Sequence, residues 1–169
     1  TVGCLRIPKT MDVVIAGDSA GAGLAINLAL RLCEDVHTKR PSRLVLLSPW
    51  TNLHTPNLPA TDCPNDYLTP ELIRRWGKMV CDRGYLEDCD ASPALIPTFR
   101  RFPPMMVVYG RSEVLSEQIQ DFARNVRERG GSIEEVPVDA MPHVFPLVFP
   151  CAPQTQLAMD AIRRFTTIN

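Results

Sequence analysis

The chain has 169 residues, 45% of them apolar and 22% charged, the make-up of one soluble globular domain able to bury a core. A formal net charge of −1 argues against nucleic acid or an anionic membrane as the main partner, because both demand a basic face. No apolar run approaches the ~20 residues of a membrane span.

In chain order, Met11–Ala16, Arg43–Leu47 and Met105–Tyr109 are short apolar runs without period-2 alternation. They read as strands of a parallel sheet, buried on both faces. A fourth run, Ile133–Val138, alternates more and contains Pro137, which places it at a sheet edge. Helical patterns separate the runs. Ala20–Cys33 follows the first, and Thr69-Pro70-Glu71 is an N-cap, a first-turn proline and an acidic first turn for a helix to about Met79. Leu115, Ile119, Phe122 and Val126 mark one face of a helix stopped at Gly130–Gly131. Leu157, Ala161, Ile162 and Phe165 mark a final helix after Pro153. Between Ser48 and Arg101 the chain is rich in Pro, Asn, Asp and Thr and reads as a long connection carrying one or two helices. The order implies an α/β fold with right-handed crossovers.

The six cysteines, at positions 4, 33, 63, 81, 89 and 151, form no C-x-x-C pair and fit no zinc spacing. They read as reduced thiols of a cytoplasmic protein, with a disulfide among Cys63, Cys81 and Cys89 as the alternative.

Gly17-Asp18-Ser19-Ala20-Gly21 is a G-x-S-x-G sequence. Chance would produce it in about one chain in twenty of this length, so its context decides. A buried strand ends directly before it and a helix starts directly after. Such a turn forces strained backbone on the serine, requires small flanking residues and lifts the hydroxyl to the C-terminal rim of the sheet. It also sets the N–H of Ala20 at a helix N-terminus, where it can stabilise an oxyanion. A plain glycine-rich turn is the rival reading. A phosphate cradle lacks the lysine it needs.

A serine hydroxyl needs a base. Of the three histidines, His37 lies in a polar segment and reads as surface, and His54 reads as a loop residue. His143 follows the fourth strand, at the rim where the serine stands. The loop after the third strand offers Glu113, whose carboxylate would accept the imidazole N–H and fix its tautomer. Glu117 and Asp121 lie farther along the helix and read as solvated, while Asp18 has no derivable role. Trp50 and Phe145 flank strand ends and either shape an acyl pocket or belong to the core.

Four segments, GDSAGAGLA, LLSPWTNL, FPPMMVVYGRSEVLSE and DAMPHVF, resemble in order and spacing the C-terminal half of the hormone-sensitive-lipase-like α/β-hydrolases. These include bacterial and fungal short-chain esterases and lactone hydrolases. The resemblance covers nearly the whole chain from Met11. It implies one partial catalytic domain over residues 1–169, with a mostly parallel sheet of about four strands flanked by helices. It also implies hydrolysis of small-molecule carboxylic esters of short to medium acyl length, with neither cofactor nor metal. The EVL segment is similar to a branch that uses Glu where most relatives use Asp, which implies Glu113 as the acid.

Two positions depart from the family pattern. Ala22 stands where a further glycine is usual, and the family's His-Gly-Gly-Gly oxyanion loop is absent, Gly3 being the only glycine before Gly17. The expectation is therefore a chain lacking N-terminal strands and a cap, with an unpaired apolar edge on its first strand. One oxyanion donor would be lost, and about 10²–10³ in kcat with it. Lactone or amide hydrolysis on the same residues, or a non-catalytic scaffold, are the rival functions. The sequence does not specify an oligomeric state.

Overall fold

The computed structural model describes residues 12–35, 37–54, 58–80 and 92–167. Met11, where the first strand was expected to start, and Cys4, Cys81 and Cys89 lie outside them. The elements are β1 (Val14–Asp18), α1 (Ser19–Glu34), β2 (Arg43–Leu47), α2 (Pro70–Val80), β3 (Met105–Gly110), α3 (Ser116–Glu128), β4 (Ile133–Val138), α4 (Phe145–Val148) and α5 (Pro153–Thr166). A 3₁₀ turn, Pro93–Leu95, precedes β3.

Local chemistry accounts for several boundaries. Thr69 caps α2, its Oγ1 accepting the N–H of Leu72 at 3.2 Å. Helix α3 ends in a Schellman arrangement. Gly130 adopts φ 83°, and the N–H groups of Gly130 and Gly131 return to the carbonyls of Arg127 and Val126. The four-residue helix α4 leaves no periodic signal in the sequence, since Phe145-Pro146-Leu147-Val148 is too short to show one.

The strands pair in parallel in the order β1-β2-β3-β4. A monotonic order with right-handed crossovers puts every connecting helix on the same face. Accordingly, Ala22 and Ile26 of α1, Ile73 of α2 and Phe122 of α3 pack in one cluster with Leu44, Leu46, Met105 and Val107. The alternate residues Met106 and Val108 face α5, packing with Phe145, Ala158 and Ala161. Pro137 lies on β4, which is an edge strand as expected.

β2 and β3 are buried on both faces, but β1 is not. Val14, Ala16 and Asp18 are exposed, while Ile15 packs against the α1 side. Helix α5 packs over β3 and β4 and touches β2 through Arg43, whose Nε donates to the Phe165 carbonyl at 3.2 Å, and among the described residues β1 pairs with β2 alone.

Candidate active site

All four strands point their C-terminal ends the same way, so their exit loops share one rim. β1 passes into α1 without a spacer. Asp18 is extended (φ −122°, ψ 147°), and Ser19, the first helical residue, has φ 50°. That left-handed geometry costs an L-residue about 1–2 kcal/mol. The turn can be this tight because Gly17 sits against the backbone of Gly21: a Cβ on Gly17 would lie 2.4 Å from the Gly21 carbonyl oxygen. The smallness expected on both sides is needed only on one. A Cβ on Gly21 would meet a single atom, Asp18 Oδ1, at 3.9 Å. The Ser19 carbonyl accepts the N–H of Trp50 at 3.0 Å, fastening the turn to the β2 exit. Ala20, second in α1, presents an N–H that has no partner within the helix.

Glu113 stands in the short loop between β3 and α3, its side chain fully buried. Its Oε2 accepts the Ser48 hydroxyl at 2.6 Å and the Gly110 N–H at 3.0 Å, and its Oε1 lies 3.3 Å from Nδ1 of His143. Nε2 of His143 is 2.9 Å from Ser19 Oγ. With Nδ1–H aimed at a carboxylate, Nε2 is left as the acceptor for the serine proton. The loop that carries His143 is tightly bent, with Ala140 and Val144 at φ 57° and 50°. It lies directly on β3: a Cβ on Gly110 would come within 1.9 Å of the Met141 carbonyl oxygen. The structure thus brings Ser19, His143 and Glu113 into one hydrogen-bonded chain.

The remaining candidates lie elsewhere. His37 and His54 are exposed, as is Glu117, and Asp121 pairs with Arg124 on α3. Trp50 and Phe145 are buried in the two core clusters and do not line the cavity at Ser19. That cavity, about 340 Å³, is lined by Trp76 of α2, Tyr67, Leu147 and Val148 together with Ser19 and His143. Burial, followed by the carboxylates of Asp66, Glu113 and Asp18, pushes the Tyr67 phenol above its ordinary value. The free thiol of Cys63 is pushed up too, by burial first and then by Asp66 and Asp62, so it is a poor nucleophile.

Two residues of the site escape a motif reading. Ser48, at the end of β2 with φ 44°, bridges the acid and base loops: its hydroxyl donates to Glu113 and accepts the N–H of Val144 at 2.9 Å. Its position at the rim just past a buried strand is a signal that could have found it. Asp66, in the long β2–β3 connection, accepts N–H groups from Val114 and His143. Nothing in its sequence surroundings marks it out.

Residues 7–147 match the family model described as the alpha/beta hydrolase fold, and the chain belongs to that family. It is 29% identical over 160 residues to an acetyl-hydrolase of Streptomyces hygroscopicus, covering 90% of this chain and 51% of that protein. It is 28% identical over 164 residues to the carboxylesterase/phospholipase LipF of Mycobacterium tuberculosis, covering 91% and 43%. Among solved structures, a hormone-sensitive lipase from a metagenome library superposes with a TM-score of 0.81 at 25% identity, over 90% of this chain and 52% of that one. Carboxyl esterase 2 of Tuber melanosporum shares the fold, with a TM-score of 0.75 at 24% identity over 88% and 51%. The chain spans about half the length of the relatives it matches. No helix among the described residues is long and apolar enough to cross a membrane.

Proposed function

We propose that the chain carries the catalytic half of a serine carboxylic ester hydrolase for small esters of short to medium acyl length. The observation that carries this reading is the chain of contacts Ser19 Oγ, His143 Nε2 at 2.9 Å, and His143 Nδ1 with Glu113 Oε1 at 3.3 Å. The relatives named esterase, carboxylesterase and acetyl-hydrolase support it.

Ser19 Oγ attacks the ester carbonyl while Nε2 of His143 takes the hydroxyl proton. Glu113 holds the imidazole in the required tautomer and stabilises the imidazolium. The Ala20 N–H, at the positive end of α1, stabilises the oxyanion. As the tetrahedral adduct collapses, His143 returns the proton to the departing alkoxide, leaving Ser19 acylated. Water, deprotonated by His143, then attacks the acyl carbon, and His143 returns that proton to Ser19 Oγ as the acid departs. Free thiols at Cys33, Cys63 and Cys151 fit a reducing, cytoplasmic setting.

A fluorophosphonate probe tests the reading. The chain is expected to be labelled at one serine and Ser19→Ala to abolish the labelling. Equal labelling of both would overturn it. Loss of p-nitrophenyl ester hydrolysis in Ser19→Ala is expected alongside the loss of labelling.

A further inference from the structure

A carboxylate outside the Ser19–His143–Glu113 chain reaches both loops that hold the acid and the base. Oδ2 of Asp66 accepts the N–H of Val114, the residue after Glu113, at 2.7 Å. Oδ1 of Asp66 accepts the backbone N–H of His143 itself at 3.1 Å and, at 3.4 Å, that of Leu68. The two main donors lie 48 and 77 residues away along the chain, on loops that leave different strands. The backbone of Asp66 is in turn held by a 2.9 Å bond from its N–H to the Cys63 carbonyl. Its neighbour Tyr67 meets the His143 imidazole edge-on, with ring centroids 6.2 Å apart.

We propose that Asp66 is a positioning residue that sets the separation between the acid and the base. This rests on the catalytic reading of Ser19, His143 and Glu113. Asp66 acts through backbone groups of the two loops. An ionised carboxylate only accepts, and two N–H donors converging from separate loops need two such oxygens. An amide supplies one oxygen and turns an NH₂ group toward the second donor. The contact at stake is the 3.3 Å gap between His143 Nδ1 and Glu113 Oε1, wider than the 2.9 Å between His143 and Ser19. Ser48 ties the same loops through the Glu113 carboxylate and the Val144 N–H; Asp66 ties them through backbone alone, so loss of one leaves the loops able to shift against each other.

Asp66→Ala is expected to lower kcat for p-nitrophenyl butyrate, and the rate of fluorophosphonate labelling, by about 10², since a displacement near 1 Å carries that effect. KM should stay within about twofold. Asp66→Asn, which keeps one acceptor, should fall between Ala and the original. Asp62→Ala, the same charge change on an exposed neighbour, should match the original chain. Thermal melting accompanies each variant. If the original chain is not labelled, or Ser19→Ala is labelled equally, the hydrolase reading fails and this inference with it. If Ser19 is labelled and Asp66→Ala reacts as fast as the original, or differs in KM alone, the inference fails while the hydrolase reading stands. Should Asp66→Ala not fold, Asp66→Asn decides: a reduced rate at an unchanged melting point supports the assignment, and an unreduced rate overturns it.

Discussion

The Ser48 hydroxyl donates a hydrogen bond to Glu113 across 2.6 Å, and the same oxygen accepts the N–H of Val144, the residue after the base. The hydroxyl is buried, and the backbone carrying it is left-handed, with φ 44°. Ser48→Ala removes the bridge and keeps the strain, whereas Ser48→Gly removes the bridge and relieves the strain. Both are expected to slow fluorophosphonate labelling by about 10–100-fold. Each leaves buried groups unpaired at about 1–3 kcal/mol, but the glycine variant should recover about 1 kcal/mol of that in thermal unfolding. Labelling of Ser48→Ala at the original rate would show the bridge to be irrelevant to the chemistry.

Glu113 is surrounded by donors on both oxygens: Ser48 and Gly110 at one, His143 at the other. Glu113→Gln must turn an NH₂ toward one of them. The expected loss in kcat is about 10⁴, the size known for the matching acid-to-amide change in serine proteases. Ester hydrolysis by Glu113→Gln within tenfold of the original would remove it from the proposed machinery.

Gly17 and Gly21 look equivalent in the motif and are not equivalent in space. Gly17→Ala drives a methyl into the Gly21 carbonyl and should abolish labelling and lower the melting temperature sharply. Gly21→Ala has room and sits within α1, where alanine is favoured over glycine by about 1 kcal/mol. Its melting temperature should hold or rise. A Gly21→Ala chain as unstable as Gly17→Ala would contradict this.

Trp76 lines the cavity at Ser19, and Phe145 lies fully buried beneath the base loop. Trp76→Ala should shift the preferred p-nitrophenyl ester toward longer acyl chains, with a melting change of only a few degrees. Phe145→Ala should lose about 3–5 kcal/mol of stability. An unchanged acyl-length profile in Trp76→Ala would exclude that wall of the cavity from substrate contact.

Tyr109 provides a pH-dependent test of packing. Burial, and then the Glu135 carboxylate that accepts its hydroxyl at 3.2 Å, push its phenol to about 12. The unfolded chain ionises this group near pH 10. The folded state therefore holds the proton more tightly, and the stability gained is complete below pH 10 and lost as pH rises from about 10 to about 12. Urea unfolding should show a decline of at most about 2–3 kcal/mol over that window. Tyr109→Phe should flatten it. An equal decline in the variant would assign the effect to other groups.

Much of this arrangement is legible in the sequence because it depends on local patterns. Arg43–Leu47 and Ile133–Val138 are bounded as read, and the Thr69 cap and the Gly130 stop follow from the chemistry of single residues. Ser19, Glu113 and His143 stand out because each follows a recognisable strand. The apolar letters of Met11–Ala16 read as a strand buried on both faces, but they report only what the residues favour, and in the fold Val14, Ala16 and Asp18 are exposed because exposure depends on what lies over them. Trp50 and Phe145 show the same limit: being near the rim in sequence does not decide whether a ring faces the cavity or the core. Asp66 was invisible because its partners are backbone N–H groups, which every residue but proline possesses.

The contacts that define the rim join distant parts of the chain: the serine and the imidazole are separated by 124 residues and the imidazole and Asp66 by 77. Parallel pairing already makes such a topology slow to fold, because each closure precedes its reward. The reactive constellation needs all four strand exits and the β2–β3 connection docked at once, so it is among the last parts of the molecule to come together. In refolding, recovery of probe reactivity at Ser19 should lag behind recovery of helical circular dichroism. Reactivity of the serine is thus a stricter measure of the native state than secondary structure.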